Sequence, residues 1–120
     1  MAKNLEVALL LDFYGDMLTR KQGEFLGYYY NDDLSLSEIA ENEGITRQGV
    51  RDAIKRAEGQ LFEMENRLGM ARRLEEMRKG LGEIVGCAAE ISEYNLRHSL
   101  SREINESSTR IKTIAQLLMD

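Results

Sequence analysis

The sequence predicts an all-α protein, and three observations lead to this class. The 120 residues include no proline, the residue that interrupts helices most strongly. Leu, Ala, Glu, Arg and Met are abundant while Val and Thr are sparse, so intrinsic preference favours helix almost throughout. The segment LSLSEIAENEGITRQGVRDAIKRAEGQL, residues 34–61, has the pattern of two short amphipathic helices joined by a tight turn. This is the layout of a helix-turn-helix.

The first helix is predicted over Leu5–Tyr14, where apolar residues occupy every side of the helix and Gly15 follows. A helix that is apolar on all sides is expected to be largely buried. Thr19 and Gln22 then form a capping box, which opens a second helix running toward Tyr30. The predicted inward residues of this second helix are Phe25, Leu26, Tyr29 and Tyr30.

The tyrosine run Tyr28–Tyr30 has two interpretations. Aromatic rings can hold unpaired bases of a nucleic acid by stacking. Aromatic residues at helical spacing also fill small helical cores. No basic residues are interleaved with these tyrosines, so core packing is favoured.

The helix-turn-helix itself is delimited by capping residues. Ser35 and Glu38 form a second capping box at the start of a short helix, and Gly44 offers the positive φ that ends many helices. Thr46 can cap the next helix, which is predicted from Arg47 through residue 61 and beyond.

This longer helix has one apolar face and one charged face. The apolar residues fall within an arc of about 100°, wide enough to pack on a core. They are Val50, Ala53, Ile54, Ala57 and Leu61. The opposite face carries Arg47, Arg51 and Lys55 four residues apart, with Gln48, Asp52 and Arg56 in the adjacent row.

Basic and amide side chains near the start of such a helix suit phosphates and base edges. The candidate nucleic-acid contacts are therefore Arg47, Gln48, Arg51, Lys55 and Arg56, with Arg20 and Lys21 as further candidates for phosphates. Gly49 would leave room for close approach. The alternative is a solvated helix face whose charges pair with their own i+4 neighbours.

Charge opposes a simple DNA-binding answer. The formal net charge is -5, and residues 1–69 hold 8 basic and 13 acidic side chains, whereas residues 70–120 hold 8 of each. The acidic excess lies in the domain that should contact DNA, where it would repel phosphates. Binding through a local basic patch, or binding to a protein partner instead, both remain open.

Short motifs around this segment resemble the YlxM-like helix-turn-helix family, which is itself similar to region 4 of bacterial sigma factors. The pieces that carry the resemblance are Asp12-Phe13-Tyr14, Leu18-Thr19 with Lys21-Gln22, the tyrosine run before Asp33-Leu34-Ser35-Leu36, Glu38-Ile39-Ala40, and Arg47-Gln48. The resemblance covers about the first seventy residues and thins after Leu68.

The resemblance implies a helix-turn-helix of sigma region 4 type in a small bacterial cytosolic protein, usually encoded beside the genes of the signal recognition particle GTPase. Two functions follow as expectations. The first is a regulatory protein that binds double-stranded DNA. The second is an accessory protein that binds a signal recognition particle component, namely the GTPase, its receptor or its RNA.

The pattern changes after Gly69, which suggests a helix-turn-helix domain over 1–69 and a C-terminal helical extension over 70–120. Residues 70–83 alternate in charge and predict an exposed helix, and apolar residues at helical spacing continue it to about Tyr94. A connection is predicted over 95–99. The last helix carries an a/d seam of Leu100, Ile104, Ile111, Ile114 and Leu118.

The apolar seam of the last helix predicts assembly. Three heptads are too few for an isolated coiled coil. One other helix of the chain could cover this apolar row, but the three glycines of residues 80–86 reduce its apolar surface. We therefore expect a homodimer formed through the seam. A monomer with this tail folded on its own domain is the alternative.

No catalytic group stands out. His98 lies in a polar stretch and is interpreted as a surface residue, while Cys87 lies on an apolar stripe and is interpreted as a small buried hydrophobe. We expect no enzyme activity, no cofactor and no metal. The longest apolar run, residues 7–11, is too short to span a bilayer, so no membrane insertion and a cytoplasmic location are expected.

Overall fold

Helices form nearly all of the chain in the computed structural model, which describes residues 2–120. Within that range the structure contains a short 3-10 turn over Gly15–Met17, no strand, and these α-helices: α1 (Leu5–Tyr14), α2 (Arg20–Tyr30), α3 (Leu36–Glu43), α4 (Arg47–Leu68), α5 (Met70–His98) and α6 (Arg102–Met119). The all-α prediction is confirmed.

The chain divides into two compact units, one running to Ala71 and the other spanning Arg72–Asp120. In the first unit α4 is the central helix, because α1, α2 and α3 all pack against it. Apolar residues of these four helices form one core. Its fully buried members include Val7, Leu10, Leu26, Ile39, Val50, Ile54 and Leu61.

The predicted helix starts are present with their caps. Thr19 and Ser35 each accept a backbone N–H while Gln22 and Glu38 return a hydrogen bond, so both capping boxes are complete. Asn4 caps α1 through its side chain. These local bonds fix where α1, α2 and α3 begin, and hence how they approach α4.

The burial of α1 differs from the sequence expectation. Val7, Leu10 and Tyr14 are buried, but Leu5 is 87% exposed and Leu9 is 48% exposed. The apolar residues surround α1, yet its packing on α4 and α2 covers only part of the helix circumference. The prediction of a largely buried helix was therefore wrong for the outer side.

The tyrosine run packs as core packing predicts. Tyr29 is buried, and Tyr28 and Tyr30 are partly buried against the same core. The rings of Tyr29 and Tyr30 meet edge to face with centroids 5.2 Å apart. Tyr30 was predicted among the inward residues, and its ring is partly buried at the edge of the core.

In the second unit α5 and α6 form an antiparallel hairpin. Helix α5 continues through Gly80, Gly82 and Gly86 to His98, so the connection is shorter than predicted and spans only residues 99–101. Asn95 was assigned to the connection but lies within the helix. Its side chain donates to the Ser101 carbonyl at 2.6 Å and accepts from the Ser101 amide at 2.9 Å.

The two helices of the hairpin meet along side chains that are mostly small or polar. Contacts run along its length: Gly82 lies near the Met119 side chain, and the Ser92 hydroxyl donates to Asn105 at 3.2 Å. We call the buried and half-buried residues along this contact the seam. It consists of Leu81, Val85, Ala88, Ser92 and Asn95 on α5, and Ser101, Asn105, Ser108, Lys112, Ala115 and Met119 on α6 and its cap.

Candidate nucleic-acid interface

The turn between α3 and α4 is built by Gly44 and Thr46. Gly44 has φ +68°, a left-handed conformation that glycine adopts without steric cost, and its amide closes α3. Thr46 is extended and its hydroxyl accepts the Gly49 amide at 3.0 Å, which starts α4. The predicted helix-turn-helix is therefore present, with each helix end satisfied by the residue expected there.

Gly49 has a structural role that sequence reasoning missed. A Cβ atom at this position would lie 3.1 Å from the Thr46 hydroxyl oxygen and 3.7 Å from the Ile45 side chain. The room that Gly49 leaves is thus used by the cap of α4. The sequence interpretation explained Gly49 by the close approach of a partner to this surface. The contact with Thr46 accounts for the glycine without a partner.

Helix α4 places its apolar residues inward as predicted. Val50, Ile54, Ala57 and Leu61 have no measurable exposure, and Ala53 is half-buried. Because these residues lock one face of α4 onto the core, the opposite face must point to solvent. All five candidate contacts of this helix are exposed: Arg47, Gln48, Arg51, Lys55 and Arg56.

Three arginines on this exposed face carry unpaired positive charge. Among residues 2–120, Arg47, Arg51 and Arg56 have no carboxylate within ion-pair distance. Gln48 instead donates to Asp52 at 2.9 Å, and the Lys55 ammonium lies 3.9 Å from Glu58. The structure therefore leaves the arginines free and engages the other two candidates with nearby acids.

The two candidates on α2 are also paired. Arg20 donates to Glu24 at 3.0 Å, and Lys21 contacts Glu43 of α3 at 2.9 Å. The hydrogen bond from Lys21 to Glu43, followed by their Coulombic attraction, raises the pKa of the Lys21 ammonium. Lys21 also lies 5.9 Å from the centre of the Phe25 ring. The Lys21–Glu43 contact ties α2 to α3, and both ion pairs reduce the charge that these cations offer to a phosphate.

Acidic side chains surround the candidate surface. Glu38, Glu41 and Asp52 are exposed on α3 and α4. Asp32 is exposed in the preceding turn, and Asp33 forms an ion pair with Lys3. The basic surface is therefore a patch around three arginines and not a continuous stripe.

Two tyrosine–carboxylate pairs brace α4, and sequence reasoning found neither. The Tyr30 hydroxyl donates to Glu58 at 2.6 Å, and the Tyr14 hydroxyl donates to Glu65 at 2.7 Å. Burial, followed by the hydrogen bond to Glu58, raises the pKa of Tyr30 to about 12. Burial, then the bond to Glu65, likewise raises the pKa of Tyr14. The partners lie far apart in sequence, so no local spacing reveals them.

The predicted assembly residues all lie at the surface of the second unit. Leu100 is outside α6, in the connection. This corrects the prediction that the apolar a/d row of the last helix begins at Leu100. The other four are Ile104, Ile111, Ile114 and Leu118. They do not form the contact with α5; each comes one position before a seam residue of α6.

The remaining candidate groups show no catalytic arrangement. Cys87 is exposed, which corrects its prediction as a buried hydrophobe; it precedes the buried Ala88 and points away from the seam. His98 stacks on Tyr94 with ring centroids 4.1 Å apart. No group of His, Cys, Asp or Glu in residues 2–120 has the geometry to hold a metal ion. None of the helices described combines the length and apolarity needed to cross a membrane.

The second helix of the motif is fixed by a buried core and exposes its arginines to solvent. These features define the chain as a helix-turn-helix protein. The chain belongs to the family UPF0122, described as "Putative helix-turn-helix protein, YlxM / p13 like", whose model matches residues 1–90. The sequence-based recognition of a YlxM-like protein is thereby confirmed.

Bacterial relatives within this family are similar over most of their length. A UPF0122 protein of Acetivibrio thermocellus is 48% identical over 85 residues, which cover 71% of this chain and 73% of that protein. A UPF0122 protein of Listeria welshimeri is 35% identical over 112 residues, or 93% of this chain and 96% of that protein. The similarity to the Listeria protein therefore extends into the C-terminal hairpin.

Proposed function

We propose that this protein binds double-stranded DNA through the N-terminal half of α4 and acts as a transcriptional regulator. One observation carries the proposal: Arg47, Arg51 and Arg56 are exposed, with no carboxylate of residues 2–120 in ion-pair distance, on a helix whose other face is buried at Val50 and Ile54. Arginine donates two parallel hydrogen bonds to guanine and to phosphate. A rigid helix that presents such groups is suited to the major groove.

Each side chain has a role in this proposal. Arg47 and Arg51, at the start of α4, would contact base edges, while Arg56 and Lys55 would contact the backbone. Gln48 would read adenine only after releasing Asp52, to which it now donates. Arg20 and Lys21 would similarly have to exchange a carboxylate for a phosphate.

The acidic surroundings predict how this binding behaves. Counterion release at each neutralised phosphate gives a slope of about -0.9 in log affinity against log salt concentration. With three free arginines, and other cations paired, we expect a shallow slope and weak non-specific binding. Specificity would then depend on a few base contacts within the arginine patch.

Selection of bound sequences from a random duplex pool, followed by fluorescence anisotropy at two salt concentrations, tests the proposal. Arg47→Ala and Arg51→Ala should each weaken specific binding by roughly 1–3 kcal/mol. Glu41→Ala is the matched control, because it removes an exposed charge from the neighbouring helix and should not weaken binding. If the wild-type protein shows no salt-dependent association with any selected duplex, the proposal fails.

A second candidate function is an accessory role in the signal recognition particle pathway. It is favoured by the pairing of Lys21 with Glu43 and of Lys55 with Glu58, which interrupts the basic surface. A surface of mixed charge fits a protein partner better than a phosphate backbone. The same anisotropy measurement against the particle's GTPase, its receptor and its RNA separates this role from DNA binding.

A further inference from the structure

The C-terminal hairpin has almost no apolar core of its own. In the first unit many large apolar residues are buried, but in Arg72–Asp120 the buried apolar residues are only Ala88 and Ala115. The other buried residues of this unit are polar, Asn95 and Ser108. Isolated helices are marginal in water and gain their stability from packing. A hairpin whose fully buried apolar residues are two alanines, beside the half-buried Leu81, Val85 and Met119, therefore gains from burying further apolar surface elsewhere.

Most of its exposed large apolar side chains lie beside the seam, in which Leu81, Val85 and Met119 are half-buried. Each of the apolar residues beside the seam on α6 comes one position before a seam residue. On α5, three of them come one position before Val85, Ser92 and Asn95. They are Ile84, Ile91 and Tyr94 on α5, with Met77 one heptad earlier, and Ile104, Ile111, Ile114 and Leu118 on α6. All of them are between 39% and 65% exposed.

An equal offset on two antiparallel helices brings both rows to the same side of the hairpin. The structure shows this directly near the connection. Ile91 and Tyr94 of α5 line a shallow groove of about 360 Å³ together with Leu100 and Ile104. We call these rows and Leu100 the apolar side of the hairpin.

We propose that the apolar side of the α5–α6 hairpin binds the same side of a second copy of this chain, forming a four-helix bundle. A bundle of four helices surrounds a core that two helices leave open. A flat surface that is apolar on both helices can pack on itself about a two-fold axis, the symmetry most common among soluble oligomers.

The exposed area of the apolar side is sufficient for a stable dimer. Fully exposed large apolar side chains present on the order of 150–200 Å² each, so about half-exposure of this set leaves on the order of 800 Å² per chain. Stable interfaces bury about 800 Å² per partner. A monomer would leave this patch in water, above the size usual for monomeric proteins. The proposal is independent of DNA binding, since no residue of α4 takes part.

Light scattering and paired substitutions test the dimer. The full chain, 13.7 kDa, should have twice that mass at micromolar concentration. Ile91→Asp and Ile111→Asp place a charge within the apolar side and should weaken dimerisation at least tenfold. Leu96→Asp and Leu117→Asp are matched controls: both leucines are exposed, 65% and 70%, and neither belongs to the apolar side as defined above. Neither control should change the mass.

Cys87 provides a measurement on the unaltered chain. It is exposed, and it lies exactly one heptad before Tyr94, at the edge of the apolar side. Its reaction with a bulky thiol reagent should slow at least several-fold as protein concentration rises through the dimerisation range, and Ile111→Asp should abolish this protection. A monomeric full chain, or equal dissociation by the isoleucine and leucine variants, would overturn the proposal; a monomer would leave the apolar side to a different protein.

Discussion

The Tyr30 hydroxyl donates a 2.6 Å hydrogen bond to Glu58, joining the end of α2 to the middle of α4. Glu58 is only 7% exposed. Its carboxylate accepts this hydrogen bond and also lies 3.9 Å from the ammonium of Lys55. A buried carboxylate without such partners would be costly. The pair therefore fixes α4 beside its exposed charged face, three residues after Lys55.

This pair predicts a loss of stability at high pH. The folded pKa of Tyr30, about 12, is above its ordinary value of 10.0, so folding favours the neutral phenol. The stabilisation is complete below pH 10 and is lost as pH rises toward 12. The denaturation midpoint of the wild type should fall over this window. Tyr30→Phe should be less stable at neutral pH and should lose less stability across the window; parallel curves for both proteins would contradict the assignment.

Ile54 tests the orientation of α4. It has no measurable exposure, so Ile54→Ala should leave a cavity and cost about 2–5 kcal/mol of unfolding free energy. Lys55→Ala, at the next position, removes an exposed side chain and its 3.9 Å contact with Glu58, which keeps its hydrogen bond from Tyr30, and should cost less than about 1 kcal/mol. Urea denaturation compares the two. Similar midpoints would mean that the inward and outward faces are exchanged.

Gly44 and Gly59 should respond in opposite directions to the same substitution. Gly44 has φ +68°, so Gly44→Ala should destabilise the protein by about 1 kcal/mol or more. Gly59 is exposed inside α4 with nothing within 4 Å of an added Cβ, so Gly59→Ala should stabilise by about 0.5–1 kcal/mol. Thermal denaturation measures both, and a stabilising Gly44→Ala would refute the turn geometry.

The Lys21–Glu43 contact gives a prediction that rests on the proposed function. Glu43→Gln removes a negative charge and frees Lys21 for a phosphate, so DNA affinity should rise and the salt dependence should steepen by about one phosphate. Glu24→Gln is the matched variant for Arg20. Anisotropy on the selected duplex measures both; unchanged affinity in both variants would remove α2 from the interface.

The helix starts of the first unit were accessible from sequence because their signals are local. Thr19 with Gln22, and Ser35 with Glu38, need only three-residue spacing, and the inward face of α4 needs only helical periodicity. The tyrosine–carboxylate pairs and the Lys21–Glu43 contact were not accessible, because their partners are brought together only by packing. The pairs Arg20–Glu24 and Lys55–Glu58, by contrast, lie within one helix at i,i+4 and i,i+3 spacing, the kind of local pairing that the sequence left open as the alternative to nucleic-acid contact.

The hairpin was harder to predict because its large apolar residues do not lie on the face where α5 and α6 contact each other. The isoleucines of α6 suggested the contact face, yet Ser108 and Ala115 are the residues buried against α5. Small side chains allow close approach of two helices but carry little periodic signal. Asn95 was assigned to the connection because the apolar spacing was followed only to about Tyr94, whereas it lies within α5 and its side chain bonds the Ser101 backbone.

The polar residues of the seam set the alignment of α5 with α6. Small side chains alone would let α5 and α6 shift along one another, within the reach of their connection, with little loss of contact. A slide here would separate Ser92 from Asn105 and would leave the buried amide of Asn95 without the Ser101 backbone. Such a loss is costly inside a protein. The hairpin therefore gives up apolar contact within its seam and gains a single register, which keeps the isoleucines of both helices level with each other.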